Sequence, residues 1–96
     1  MKPSEVLNKN RAAIRKMVET SRARNPRIFG SVLHGRDVDA SDLDLLVDAL
    51  PDTTLFDLGG LQEDLEALLG IQVDLLTPAD IPAKFRDKVL AEAQSV

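Results

Sequence analysis

Along this chain the spacing of apolar residues switches between a helical and a strand period. From residue 4 to 23 the positions Val6, Leu7, Ala13, Ile14, Met17 and Val18 recur near 3.6 residues apart, which predicts a helix with Ser4 as its N-cap. Asn25-Pro26 is expected to end it, because proline cannot continue a helix and disfavours helix in the residue before it. Arg27-Ile28-Phe29 then reads as a short strand stopping at Gly30, and residues 32–41 as a helical turn and a loop. The clearest strand is 42–48: Leu43, Leu45 and Val47 point one way, and Asp42, Asp44, Leu46 and Asp48 the other. Thr54 with Asp57 resembles a capping pair, followed by a leucine stripe at 58, 61, 65, 68 and 69. Gly59-Gly60 interrupts that stripe, so the helix is expected either to begin near Leu61 or to need a close backbone contact there. Gly70 ends it. Ile71 to Leu76 forms a last strand, with Asp74 facing away from Ile71, Val73 and Leu75, and one or two short helices fill 79–93 around Ile81, Phe85, Val89 and Leu90.

The order helix–strand–strand–helix–strand–helix predicts an α+β fold: a small mixed β-sheet with helices packed on the leucine face and an open face bearing the aspartates. Ninety-six residues suit a single domain, 1–96. A chain this short buries roughly 60–65% of its unfolded surface, so a partner surface is plausible from size alone. Its start lacks the apolar run of a signal peptide and nothing approaches a membrane span, so a cytoplasmic location without membrane contact is expected.

Charge alters this picture more than size does. The net charge is −4, but residues 1–36 hold nine Lys/Arg and two Asp/Glu, and residues 37–96 hold three Lys/Arg and fourteen Asp/Glu. A basic arm and an acidic body suit a polyphosphate on one side and cations on the other; equally, they are solvated helix faces. There is no Cys, Tyr or Trp, and only Phe29, Phe56 and Phe85 are aromatic. Disulfides, thiolate metal sites and a cysteine nucleophile are excluded, and direct nucleic-acid binding through stacked rings is not expected. Leu55, Phe56 and Leu58 read as core, with part of that stretch a possible interface.

The candidate chemistry lies between Gly30 and Asp44. Glycine lets the backbone approach a phosphate closely, and Ser31 adds a hydroxyl donor. Asp42 and Asp44, two apart on one strand face, hold their carboxylates about 6–7 Å apart, and Asp74 shares that orientation. Neither of the pair is satisfied by the core, and a divalent cation resolves their repulsion; Mg²⁺ binds one or two carboxylates plus substrate phosphates. With Asp74 on a neighbouring strand, three carboxylates would converge on a two-metal geometry. Gly30-Ser31 as an ordinary turn with solvated aspartates is the alternative.

The runs Phe29-Gly30-Ser31-Val32-Leu33-His34-Gly35-Arg36 and Ser41-Asp42-Leu43-Asp44-Leu45-Leu46-Val47 resemble the minimal nucleotidyltransferases of the DNA polymerase β superfamily. The likeness extends to Leu61-Gln62-Glu63-Asp64-Leu65, to Gly70-Ile71-Gln72-Val73-Asp74-Leu75 and to Leu90-Ala91-Glu92-Ala93. The resemblance implies a polymerase β-like nucleotidyltransferase fold, with Gly30, Ser31, Arg36 and Ser41 contacting the nucleotide and Asp42, Asp44 and Asp74 as catalytic carboxylates that bind Mg²⁺. Many members are antitoxins of HEPN-domain ribonuclease toxins, in type VII-like pairs, and transfer AMP from ATP to a toxin tyrosine. Such a role implies a hetero-oligomer with the toxin. A chain without tyrosine, and too short for an acceptor-binding domain, would take its acceptor in trans. A non-catalytic antitoxin that masks the toxin and a small-molecule nucleotidyltransferase are the competing readings. The family often has Ala-Arg-Gly-Glu where this chain has Leu33-His34-Gly35-Arg36; if that arginine meets phosphate, His34 or Arg36 replaces it.

Overall fold

A computed structural model describes residues 1–96. In chain order the elements are α1 (Pro3–Glu19), β1 (Ala23–Ile28), α2 (Gly30–Leu33), β2 (Leu43–Ala49), α3 (Leu55–Leu69), β3 (Val73–Leu76), a 3₁₀ turn at Pro78–Asp80, α4 (Ala83–Glu92) and β4 (Gln94–Ser95). One mixed sheet runs in the order β3-β2-β1-β4. β1 is antiparallel to β2 and to β4, while β2 and β3 are parallel. The expected α+β architecture is the observed one.

The leucine face builds the core. Leu43, Leu45 and Val47 of β2 pack with Val6, Leu7, Ile14 and Val18 of α1, with Leu61, Leu65 and Leu69 of α3, and with Val73 of β3. Leu58 packs against this cluster, but Leu68 is exposed, and so are Leu55 and Phe56, at 84% and 92%. The core reading of Leu55 and Phe56 is therefore corrected: they occupy the first turn of α3, where their side chains point away from the sheet. The opposite face is not open along its whole length. Leu46, facing away from Leu45 and Val47, is fully buried outside the main cluster, and Ile81 after the 3₁₀ turn is buried as well. Arg86 ties that turn to α4 by donating to the carbonyls of Pro78 and Ile81, at 2.8 and 2.9 Å.

The segment after α1 also departs from expectation. The helix ends at Glu19, and Asn25-Pro26 lies inside β1 instead of terminating a helix. The pairing of β1 with β2 shifts register between Arg24 and Arg27, and Asn25 takes a φ of +58°. Pro26 has no N–H to give to a ladder, and a bulge is where its absence matters least. Ser4 is not the N-cap: Lys2 precedes the helix, Pro3 opens it, and Ser4 donates its N–H to the buried Asp37 carboxylate at 2.9 Å. Asp37 thus caps α1 from the loop that leads to β2. Bonds from the Ser4 backbone and hydroxyl hold the Asp37 carboxyl below the ordinary carboxylate range.

The capping pair at α3 forms as expected: Thr54 accepts the Asp57 N–H and Asp57 accepts the Thr54 N–H, at 3.2 and 2.9 Å. The helix runs through Gly59-Gly60, and neither glycine faces an atom that a side chain would meet. Both expectations for that pair are therefore set aside. The capping pair and the buried Leu61, Leu65 and Leu69 together hold a helix that carries two unfavourable glycines.

The outer edge of β3 is closed from within the chain. Val73 and Leu75 turn their N–H groups away from β2, where Glu66 and Gln62 of α3 accept them at 3.0 and 3.1 Å.

Candidate active site

The site begins where β1 runs out. After Ile28, Gly30 takes a φ of +74°, a conformation open to glycine and strained for other residues. Position 30 also lies against β2 so closely that a Cβ there would run into the Asp44 carboxylate. Two independent constraints therefore require glycine at this point, and both come from bringing α2 down onto Asp44. Ser31 turns its backbone N–H to that same carboxylate. Its carbonyl accepts the Arg36 N–H at 2.8 Å, closing the turn that follows α2.

The parallel register of β2 and β3 sets Asp44 directly beside Asp74. Paired residues on neighbouring strands share a face, with strands about 4.8 Å apart. Asp42 lies one residue before β2 and is exposed, as is Asp74, while Asp44 is half-buried. Loss of solvent, then the charges of Asp74 and Asp42, push the Asp44 carboxyl from 3.8 up to about 6, and the Ser31 N–H pulls it back in part. The three aspartates identified from periodicity thus form one electrostatic unit.

A fourth aspartate of the same strand shows what is distinctive about them. Asp48 has the parity of Asp42 and Asp44, yet it is neutralised by Arg27 at 2.5 Å and accepts from Asn25 at 3.1 Å. No Lys, Arg or His stands within ion-pair distance of Asp42, Asp44 or Asp74; the ion pairs of the chain are Arg22 with Asp52 and Asp57, Arg27 with Asp48, and His34 with Glu92. The expected convergence on a two-metal geometry is not preformed, since no three His, Asp or Glu side chains gather closely enough to hold an ion. Asp42 stands one residue before the strand begins. The donor set still fits Mg²⁺, which keeps several waters and takes one or two carboxylates together with substrate phosphates.

The remaining predicted residues fall around this group. The Ser41 hydroxyl accepts the Val38 N–H at 2.9 Å and shapes the turn that delivers Asp42 to β2. Arg36 is exposed and its side chain has no hydrogen-bond or ion-pair partner. His34 lies 3.3 Å from Glu92 of α4. Of the two candidates to meet phosphate, Arg36 is the one left uncommitted. Among the basic residues of α1, Arg11 donates to Asn8 at 3.2 Å and Arg15 to the carbonyl of Val96 at 3.1 Å. A cleft of about 260 Å³ opens beside Gly30, lined by Phe29, Leu33, His34, Phe85 and Val89. A larger hollow of about 690 Å³, between Arg22, Arg24, Phe56 and Gly60, contains none of the predicted site residues.

A small mixed sheet whose Gly-Ser turn packs onto unpaired strand carboxylates is the framework of a nucleotidyltransferase. Residues 13–96 match the family described as "Polymerase beta, Nucleotidyltransferase", and the chain belongs to that family. It is 38% identical over 65 residues to a protein of Thermococcus cleftensis named protein adenylyltransferase MntA, spanning 68% of this chain and 66% of that one. A provisionally named protein adenylyltransferase of Methanocaldococcus jannaschii is 39% identical over 69 residues, spanning 72% of this chain and 74% of the relative. Among solved structures, one provisionally described as a minimal nucleotidyltransferase superposes with a TM-score of 0.82 at 34% identity, covering 97% of this chain and 93% of that one. The MntA-HepT toxin-antitoxin structure shares the fold at a TM-score of 0.67 and 19% identity, over 92% of this chain and 69% of that one.

Proposed function

We propose that this chain is the antitoxin of a type VII-like toxin–antitoxin pair. It transfers AMP from ATP to a tyrosine hydroxyl of a HEPN ribonuclease toxin and so neutralises it. The single observation that carries the transfer reading is the contrast within β2: Asp48 is matched by Arg27, whereas Asp44 with Asp42 and Asp74 is left without a cation. A fold does not retain three mutually repelling carboxylates for its own stability, because each unmatched neighbour raises the free energy of the folded state. The names of the relatives, and a solved toxin-antitoxin bound to AMP-PNP that shares the fold, support the choice of nucleotide and of partner class. A sequence without tyrosine suits an acceptor carried by another molecule.

In this reading Gly30 and Ser31 receive the phosphates. Glycine leaves room for the close approach, the Ser31 hydroxyl donates, and Arg36 supplies charge to the outer phosphates. Asp42, Asp44 and Asp74 would hold Mg²⁺, which when bound offsets phosphate charge and makes the acceptor hydroxyl easier to ionise. The acceptor oxygen attacks the α-phosphorus in line. The bond from that phosphorus to the β-phosphate bridging oxygen breaks, pyrophosphate leaves, and the hydroxyl proton passes to solvent or to a carboxylate of the site. Positioning and charge neutralisation supply the rate.

The test is intact-mass analysis of the toxin encoded beside this chain after incubation with the chain, ATP and Mg²⁺. The expected result is a mass gain of AMP that disappears with EDTA or with Asp44→Asn. No gain, together with full toxin inhibition by the Asp44→Asn chain, would replace transfer by masking.

A further inference from the structure

Asp74 sits on the edge strand of the sheet, held on one side only by β2. Edge strands fray more readily than central ones, and a misplacement of about 1 Å at a reacting group costs up to about a hundredfold in rate. Something other than the ladder therefore has to fix this carboxylate. The two residues flanking it, Val73 and Leu75, both send their N–H groups outward, and both are met by side chains of α3. Gln62 and Glu66 are four residues apart, so they share one side of the helix with their ends about 6 Å apart along its axis. Alternate residues of a strand repeat at about 6.6 Å. Because α3 returns through Gly70 into β3, the pairing is antiparallel: Glu66 meets Val73, and Gln62 meets Leu75. Val73 is buried, so its N–H would be expensive to leave unmade.

We infer that Gln62 and Glu66 are positioning residues for Asp74, a two-point clamp that fixes the edge strand on both sides of the carboxylate. The inference rests on Asp74 acting as a metal-binding carboxylate of the proposed transfer. Neither side chain touches the reacting groups; each acts through a backbone N–H. Glu66 is thereby separated from the acidic surface residues of α3, since its carboxylate is used as a hydrogen-bond acceptor inside the chain. The same clamp closes the outer edge of the sheet to further strand pairing.

The test uses the full chain with Gln62→Met and Glu66→Met together, which keep side-chain length and remove both acceptors. Mn²⁺ serves as the probe, read as the concentration that half-broadens the Asp44 amide signal in NMR spectra. Hydrogen exchange at Val73 and Leu75 is followed alongside. Expected are a roughly tenfold rise in the Mn²⁺ half-point, faster exchange at both amides, and a Mg²⁺ requirement for AMP transfer raised by a similar factor. Glu66→Gln, which retains an acceptor, keeps the wild-type half-point. Each methionine substitution alone gives a smaller rise of the same sign, which decides the matter if the double variant does not fold. An unchanged Mn²⁺ half-point in the folded double variant overturns the clamp. A wild-type chain that binds Mn²⁺ at Asp44 but transfers no AMP overturns the transfer reading alone.

Discussion

Replacing Asp44 by asparagine should stabilise the metal-free protein at neutral pH while removing its activity. The Asp44 carboxyl is pushed from 3.8 to about 6 by burial, Asp74 and Asp42. At about 1.4 kcal/mol for each tenfold change in proton affinity, this corresponds to about 3 kcal/mol against the ionised form in the folded state. Solvent reaches a half-buried carboxylate and screens part of it, leaving about 1–2 kcal/mol. The sign follows from linkage. A carboxyl whose folded value lies above its unfolded one favours the folded state below about pH 4, and that contribution is lost as the pH rises through about 6. Asparagine has the same shape, keeps an acceptor for the Ser31 N–H and carries no charge at any pH. Wild type and Asp44→Asn should therefore melt together at pH 4 in EDTA, and by pH 8 the variant should melt higher by roughly 5–10 °C for a chain of this size. Mg²⁺ should raise the wild-type melting temperature at pH 8 by mass action and raise that of the variant less. Thermal melts followed by circular dichroism from pH 4 to 8, with and without Mg²⁺, decide it. A variant no more stable than wild type at pH 8 in EDTA, or a difference that does not change with pH, would refute the reasoning.

Glycine positions supply the other predictions. Gly30→Ala should cost about 1–2 kcal/mol through its left-handed backbone alone, and it should also displace Asp44, lowering AMP transfer at least tenfold. Gly35→Ala is its control in urea melts and transfer assays: φ there is +67° but no atom lies within 4 Å, so stability falls similarly while Asp44 stays in place. Equal activity of the two variants would show that the contact with Asp44 is not needed. Gly59→Ala and Gly60→Ala, both exposed inside α3 with open space around them, should each stabilise the chain by about 0.5–1 kcal/mol, measured by urea unfolding.

Periodicity made most of this fold readable, because burial imposes it. Leu43 and Leu45 of β2 and Leu61, Leu65 and Leu69 of α3 face the core where their spacing put them, Leu68 of the same stripe is exposed, and the α+β class follows from element order. The departures from expectation share one cause: local signals that decide structure in an isolated peptide are overridden by tertiary contacts in this fold. Pro26 stops a helix, but here the helix has already ended, and a register shift accommodates the proline in β1. Ser4 has the chemistry of an N-cap, yet Asp37, thirty-three residues away, does the capping and leaves Ser4 in the first turn. Gly59-Gly60 weakens a helix that its capping pair and its buried leucines keep intact. Leu55 and Phe56 have core composition, but they fall on the outward side of α3, a direction that depends on where that helix starts.

The site was legible as a set of residues sharing a face and illegible as a set of charges. Strand parity selects Asp42, Asp44 and Asp48 alike, and only the partner across β1 separates them: Arg27 reaches Asp48 and nothing cationic reaches the others. That choice depends on the bulge at Asn25-Pro26, which shifts the register by which Arg27 arrives beside Asp48. The same feature that defeats the reading of β1 thus neutralises one aspartate and leaves the group around Asp44 negative. Gly30 completes the arrangement from the other side. Its φ and its lack of a Cβ let α2 rest directly on Asp44, so the turn proposed to hold phosphate and the carboxylates proposed to hold metal are packed against each other. A charge this near to a donor turn, without a counter-ion of its own, is stable only at a cost that a bound cation would remove. The stability difference between Asp44 and asparagine therefore measures how strongly the fold has prepared that position for a ligand.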